Sequence, residues 1–167
     1  DPGNLQQFLS QNNTPSIIYN MTHQSQFVPP YLQNYNNISD DKTVNINILN
    51  ESETDTNMLI EQHPGDKELI KIYFVQLSSF PQLAYSQNLI HLHLVKTDLT
   101  FIPQDWLTTL HPTLQTIDLS YNNIEIIHLS FMYFPNLHIF DMSGNKLSAF
   151  PLYDKSDTLF ALNLSHN

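Results

Sequence analysis

The apolar positions of the chain follow one recurring spacing from Leu69 onwards. In LQTIDLSYNNI, which begins at Leu114, apolar residues occupy offsets 1, 4, 6 and 11, and an asparagine occupies offset 9. This spacing is neither the strict alternation of a simple strand nor the stripe of a helix, and it predicts a repeating unit. The successive units start 20, 25, 23 and 22 residues apart. Their leading residues are Leu69, Leu89, Leu114, Leu137 and Leu159.

These units resemble the leucine-rich repeat family, whose consensus is LxxLxLxxNxLxxLP. The resemblance runs from residue 69 to residue 167. It implies an α/β leucine-rich repeat solenoid of about five repeats, the last one incomplete. A parallel β-sheet is expected on the concave face, with an irregular or short-helical convex side. The first unit is expected to fit at Leu69, Ile72 and Phe74 and then to shorten, reaching Leu77, Phe80 and Pro81.

The middle of each repeat predicts a short strand whose alternate side chains enter the core, as for Leu92 and Leu94. The chain must then turn away from the sheet. A buried asparagine suits that turn because its amide can both donate to and accept from the backbone of the loop. Thr97 replaces the asparagine in one repeat. The predicted turn asparagines are Asn122, Asn145 and Asn167.

The second halves of the repeats resemble the extracellular typical-type class, which reads LPxxxFxxL. Leu107 and Leu110 occupy these places in one repeat, and Phe131 and Phe134 occupy them in the next. Short helical turns are expected there, and an irregular loop is expected in the polar fourth repeat. Trp106, the single tryptophan, is interpreted as convex-side packing, with a binding hot spot as the alternative.

The first part of the chain has a different character. Residues 1–40 are rich in Asn, Gln, Ser and Pro and predict a loosely structured arm. Residues 41–68 are interpreted as a capping strand and loop, since Val44, Ile46 and Ile48 alternate with polar residues and a solenoid end must be covered. The chain ends at Asn167 before a fifth convex segment. That ending predicts an uncovered apolar coil, and hence a truncated or N-terminal fragment.

Charge and cysteine content exclude several function classes. The net charge is −10 with only 6 Lys and Arg, so neither nucleic acid nor an anionic membrane surface is expected as a partner. Membrane attachment would need a segment outside this chain. There is no cysteine, which excludes disulfides and thiol nucleophiles. Five N-glycosylation sequons favour secretion, at Asn12, Asn20, Asn37, Asn50 and Asn163.

The outward positions of the predicted strands form three columns on the concave face. The first column is Lys71, His91, Thr116, Ile139 and Ala161; the second is Tyr73, His93, Asp118, Asp141 and Asn163; the third is Val75, Val95, Ser120, Ser143 and Ser165. This mixture of side chains suits a protein or peptide ligand better than catalysis. The predicted ligand-binding residues are Tyr73, His91, His93, Thr116, Asp118, Ile139 and Asp141.

The HLH segment allows three interpretations, because His93 should lie beside Asp118 on the next strand. The two residues could form a metal site, a pH sensor or an ordinary exposed His–Asp contact. Asp118 and Asp141 form a carboxylate pair, which can serve acid–base chemistry or simply form an acidic stripe. No nucleophile motif and no glycine-rich phosphate loop is found, so neither an enzyme nor a cofactor nor a bound metal is expected.

The leading hypothesis is an extracellular recognition module of a receptor or secreted factor. It is similar to Toll-type receptor ectodomains and to insect leucine-rich repeat immune proteins. The resemblance implies innate-immune or signalling ligand binding and leaves homo- or heterodimerisation open. The alternative is an intracellular scaffold, regulatory subunit or delivered effector, which the missing cysteines and the missing cysteine-rich cap favour. A metal-dependent protein that uses His91, His93 and Asp118 is a third class.

Overall fold

Among the residues that the structure describes, seven short parallel strands form one continuous sheet. The computed structural model describes residues 17–19, 38–47, 67–83, 87–152 and 154–167. Within them a 3₁₀ turn spans Asp40–Lys42 and a single turn of helix, α1, spans Gln104–Leu107. The strands follow the order β1-β7-β6-β5-β4-β3-β2. They are β1 (Ile17–Tyr19), β2 (Thr43–Asn47), β3 (Leu69–Tyr73), β4 (His91–Val95), β5 (Thr116–Asp118), β6 (Ile139–Asp141) and β7 (Ala161–Asn163).

The core lies between this sheet and the convex segments, as the repeat spacing predicted. Leu92 and Leu94 of β4 are fully buried, and Ile117 of β5 is buried beside Leu92 in the paired register. From β3 to β7, each strand is joined to the next by a crossover of about one repeat length, which places successive strands side by side in parallel. The predicted leucine-rich repeat solenoid is therefore confirmed as the architecture.

The predicted alignment of the first repeat is wrong by two residues. Ile70 pairs with Leu92 and Ile72 pairs with Leu94, so these isoleucines are the inward pair. The leading position therefore falls at Lys67, 22 residues before Leu89, and the unit no longer needs to be shortened. Consequently Leu69 takes an outward position beside His91, Phe74 is exposed and Val75 belongs to the core.

The apolar pattern misaligned this repeat because a lysine occupies its leading position. Lys67 is buried, although its position holds leucine in the repeats that follow. Its Nζ donates a hydrogen bond to the backbone oxygen of Asp41 at 2.5 Å, which gives the ammonium group a polar partner within the N-terminal end of the solenoid. A long side chain of this kind can bury its methylene stem while its charged head meets a polar group.

The turn asparagines connect each repeat to the preceding one. Asn122 Nδ2 donates to the backbone oxygens of Leu94 at 2.7 Å and Leu119 at 2.9 Å, which lie in neighbouring repeats. Its Oδ1 accepts from the Thr97 backbone N–H at 2.9 Å and from the Thr97 hydroxyl at 2.8 Å. The threonine that departs from the consensus is therefore bonded to the asparagine of the following repeat.

Asn145 and Asn167 repeat this arrangement. Asn145 Oδ1 accepts from the Ile124 N–H at 3.1 Å, and Asn167 Oδ1 accepts from the Leu147 N–H at 3.0 Å. Their Nδ2 groups donate to backbone oxygens of the preceding strand and of their own turn. The predicted role of the turn asparagines is confirmed.

The convex side agrees with the sequence at most positions. Leu107, Phe131 and Phe134 are buried, but Leu110 is 53% exposed and does not take the core position predicted for it. Trp106 fills that space instead, with its ring 5.1 Å from that of Phe80 and 5.6 Å from that of Phe134. The interpretation of Trp106 as convex packing is confirmed. Residues 154–158 form no helix, in agreement with the irregular loop expected there.

The two edges of the sheet hold strands from the first part of the chain. β2 pairs with β3, and Val44 is buried beside Ile70; Ile48 lies outside the described residues. β1 pairs with β7, with Ile18 beside Leu162. The sequence predicted an uncovered coil after the last strand, whereas β1 supplies partners for its backbone groups. Neither β1 nor its pairing was predicted for the polar arm.

Candidate functional site

The observed register changes which outward residues are neighbours. Column one, in order from β3 to β7, is Leu69, His91, Thr116, Ile139 and Ala161. Column two is Lys71, His93, Asp118, Asp141 and Asn163. Lys71 thus lies beside His93 rather than His91, and Tyr73 lies beside Val95. The prediction that His93 lies beside Asp118 is confirmed.

Much of this outward face is buried. Thr116 and Ile139 in column one are buried, and so is His93 in column two. Tyr73, His91, Asp118 and Asp141 keep intermediate exposure. The predicted ligand-binding residues therefore divide into a buried group (His93, Thr116, Ile139) and a half-buried group, and the sheet face is not an open surface along its full width.

Tyr73, His93 and Asp118 form a connected polar cluster. The Tyr73 hydroxyl lies 3.2 Å from His93 Nδ1, and the same nitrogen lies 3.6 Å from Asp118 Oδ2. Lys71 Nζ stands 5.8 Å from the centre of the Tyr73 ring, within the range of a cation–π contact. Tyr73 enters this cluster from the adjoining column because its long side chain reaches across to His93.

His91 forms a separate pair with Thr116. Its Nδ1 lies 2.9 Å from the Thr116 hydroxyl oxygen. Burial, aided by the nearby His93 and His138, lowers the pKa of His91 to about 4. The imidazole is therefore neutral over the physiological pH range.

Asp141 is a carboxyl group of the site whose pKa is strongly raised by its surroundings. Burial raises its pKa to about 7, and the charge of Asp118 on the neighbouring strand acts in the same direction. Hydrogen bonds from the Ser143 N–H at 2.9 Å and the Ser143 hydroxyl at 2.7 Å oppose the shift. The Asp118–Asp141 pair thus holds one carboxyl that takes up a proton near neutral pH.

The same local bond recurs on three neighbouring strands. Asp118 Oδ1 accepts from the Ser120 N–H, and Asn163 Oδ1 accepts from the N–H and hydroxyl of Ser165. Asn163 is also a predicted glycosylation residue, and it is half-buried in this turn. The other four predicted glycosylation residues, Asn12, Asn20, Asn37 and Asn50, lie outside the described residues.

A comparison with known protein families agrees with the asparagine turns and the strand register. Residues 87–147 match the leucine rich repeat family. The match includes β4, β5 and β6, and the register extends the same geometry to β3 and β7. No curated protein and no solved structure matches the chain. Leucine-rich repeats are generally protein-interaction modules rather than enzymes.

The leucine-rich repeats contain one more surface feature that the sequence analysis missed. The residue before each turn position has a left-handed backbone, with φ between 54° and 67° in five successive repeats. We call this row the edge ridge, because it follows the carboxyl ends of β3 to β7. It consists of Phe74, Lys96, Tyr121, Gly144 and His166.

The edge ridge exposes two aromatic rings. Phe74 and Tyr121 are each 53% exposed, and Lys96, between them, places its Nζ 5.7 Å from the Phe74 ring centre. Tyr121 lies over Gly144, where an added Cβ would come within 2.4 Å of the tyrosine ring. The consensus leaves this position unspecified, so only the placement of Phe and Tyr before Val75 and Asn122 could have indicated it.

The two histidines of the HLH segment have different hydrogen-bond partners. His91 and His93 belong to different columns, and His93 contacts Tyr73 and Asp118. Among the residues that the structure describes, no group of three or more His, Cys, Asp or Glu side chains could hold a metal ion.

Proposed function

We propose that this protein recognises a protein partner through the edge ridge and the half-buried end of the Tyr73–His93–Asp118 cluster beside it. The main observation in support is that Phe74 and Tyr121 are exposed on a row that the repeat geometry fixes. Large aromatic side chains that a partner covers dominate interface energetics. The solenoid holds these two rings on a rigid backbone, so little conformational freedom is lost on binding.

The setting we propose is extracellular, in a receptor ectodomain or secreted factor of the Toll-like or innate-immune kind. The five sequons and the typical-type repeats support it. The partner is then a protein or peptide ligand, bound in a homo- or heterodimeric assembly. The absence of cysteine favours the alternative of an intracellular scaffold. Among the described residues, no helix has the length and apolar character needed to cross a membrane.

The setting can be tested on the protein purified from its natural source. Mass spectrometry of peptides that contain Asn12, Asn20, Asn37, Asn50 and Asn163 should find glycans on some of them. Glycan-free peptides at all five positions would count against the extracellular proposal and in favour of the scaffold.

The surface can be tested by site-specific photo-cross-linking. Benzoylphenylalanine that replaces Tyr121 is expected to cross-link one particular protein in an extract of the natural source. The same group placed at Phe101, which is 60% exposed between Leu99 and α1, serves as the matched control. Equal cross-linking from both positions, or from Phe101 alone, would contradict the proposed surface.

A further inference from the structure

A cavity of about 430 Å³ opens on the convex side, between the first two repeats. It lies away from the edge ridge and is lined by Phe80, Pro81, Pro103, Trp106 and His111 among others. Its size falls within the range of roughly 300–1,000 Å³ typical of small-ligand sites. None of the features proposed for partner recognition uses it.

Aromatic rings form one side of this convex pocket. The Phe80 and Trp106 ring centres are 5.1 Å apart, and the His111 ring centre is 4.5 Å from that of Trp106. The negative faces of such rings attract cations, and indole does so most strongly.

Hydrogen-bond acceptors complement the rings. His111 Nε2 donates to the Trp106 backbone oxygen at 2.7 Å, so Nδ1 of the neutral ring is left as an acceptor. Burial lowers the pKa of His111, which favours the uncharged form of the ring. The Thr109 hydroxyl donates its proton to the Asp105 backbone oxygen at 2.7 Å, so its oxygen can accept a further bond.

The charged residues of the lining also favour a cationic ligand. Asp105 is an exposed carboxylate at the pocket, and no Lys or Arg is among the described residues that line it. Gln82 and Gln87 add neutral amides that can donate or accept. The lining therefore offers aromatic rings, acceptors and one negative charge.

We propose that the convex pocket binds an alkylammonium group, with Asp105 as its counter-ion and Trp106 and Phe80 as its aromatic contacts. The group can come from a free amine or from a lysine side chain of another protein. Both sources share the ammonium chemistry that the lining recognises.

Trp106 provides a unique reporter because it is the single tryptophan of the chain. Its indole N–H resonance can be followed by NMR while the protein is titrated with n-butylammonium chloride at constant ionic strength. A saturable shift is expected with n-butylammonium, and no saturation is expected with the neutral analogue n-butanol or with butyrate. An equal response to n-butanol, or no saturable response to n-butylammonium, would overturn the proposal.

Two matched variants test whether the Asp105 carboxylate is the counter-ion. Asp105→Asn should weaken n-butylammonium binding by about three- to tenfold, since it removes a partly solvated counter-ion. Glu125→Gln, at another exposed acidic residue, should leave it unchanged. Unaltered amide spectra elsewhere would show that both variants are folded. Equal affinity of the Asp105→Asn variant and the unmodified protein would contradict the role of the carboxylate.

The source of the ammonium group is resolved by a third titration. A short peptide with one internal lysine is compared with the same peptide after lysine acetylation. Binding of both n-butylammonium and the lysine peptide, without the acetylated peptide, indicates a lysine side chain of a protein partner. Binding of n-butylammonium and of neither peptide indicates a free amine. Both outcomes support the ammonium site. Binding of the acetylated peptide with equal affinity would contradict it.

Discussion

Asn122 forms hydrogen bonds with two neighbouring repeats at once. Its amide donates to Leu94 and Leu119, and its oxygen accepts from Thr97 and Leu99. All these groups are buried, and a buried backbone group left without a partner costs about 1–3 kcal/mol. At the residue scale, the stability of the fold therefore rests on side-chain amides as well as on leucines.

Asn122→Ala should lower the free energy of unfolding by about 3 kcal/mol or more, because several buried backbone groups lose their partner together. Chemical denaturation measures this change. Asn123→Ala, at the half-buried neighbouring position, is the control and should cost under about 1 kcal/mol. A similar loss in the two variants would show that the amide network is not what stabilises the turn.

Asp141 and His91 should impose opposite pH dependences on stability. In the folded protein the pKa of Asp141 is about 7, whereas its ordinary value is 3.8. The stability that Asp141 contributes is therefore lost as the pH rises from 3.8 towards 7. Folded His91 has a pKa of about 4 instead of 6.5, so its contribution is lost as pH falls from 6.5 towards 4. The two effects oppose each other where the intervals overlap.

Two single variants should separate the pH dependence of stability that comes from His91 from the one that comes from Asp141. Asp141→Asn keeps a hydrogen-bond acceptor for Ser143, as Asn163 does for Ser165, and its stability should rise between pH 4 and pH 6.5. His91→Gln should show stability that falls over the same interval. Differences on the order of 1 kcal/mol are expected in urea denaturation at several pH values. Parallel pH profiles for the two variants would refute the assignment.

Strands in this sheet depend mainly on their immediate neighbours. β2 pairs with β3 along its full length, and Val44 packs into the core beside Ile70. In a solenoid each repeat contacts only the repeats next to it, so stability is close to a sum of local terms. At the element scale, damage to one strand should remain near that strand.

Val44→Asp tests this locality because it places a carboxylate in the apolar core. The amides of β3 should lose hydrogen-exchange protection, while those of β6 keep theirs. Asn45→Asp, at the exposed neighbouring position, should change neither strand. Uniform loss of protection from β3 to β7 would indicate one cooperative unit instead of a chain of local contacts.

Much of the whole architecture could be predicted because leucine-rich spacing specifies both the strand and its turn. Ile117, Leu119 and Asn122 lie where their offsets placed them. Lys67 could not be aligned from apolar spacing, because the lysine takes a leucine position through a bond to distant Asp41. The two-residue shift then misplaced the first residues of each outward column.

The candidate site was less predictable than the fold. Phe74 and Tyr121 stand at a position that the consensus leaves free, and only the left-handed backbone aligns them. Burial of Thr116 and Ile139 depends on what surrounds an outward column, which periodicity does not describe. The convex pocket is lined by residues of two repeats, so the spacing within one repeat does not reveal it.

The most direct test of partner recognition compares two surfaces of the whole molecule. The partner recovered by cross-linking at position 121 is titrated by calorimetry against the unmodified protein, a Phe74→Ser and Tyr121→Ser double variant, and a Phe101→Ser control. The double variant should bind at least about tenfold more weakly, which corresponds to about 1.4 kcal/mol, while the control binds as the unmodified protein does. Unchanged affinity of the double variant, or an equal loss in the control, would contradict recognition through the edge ridge.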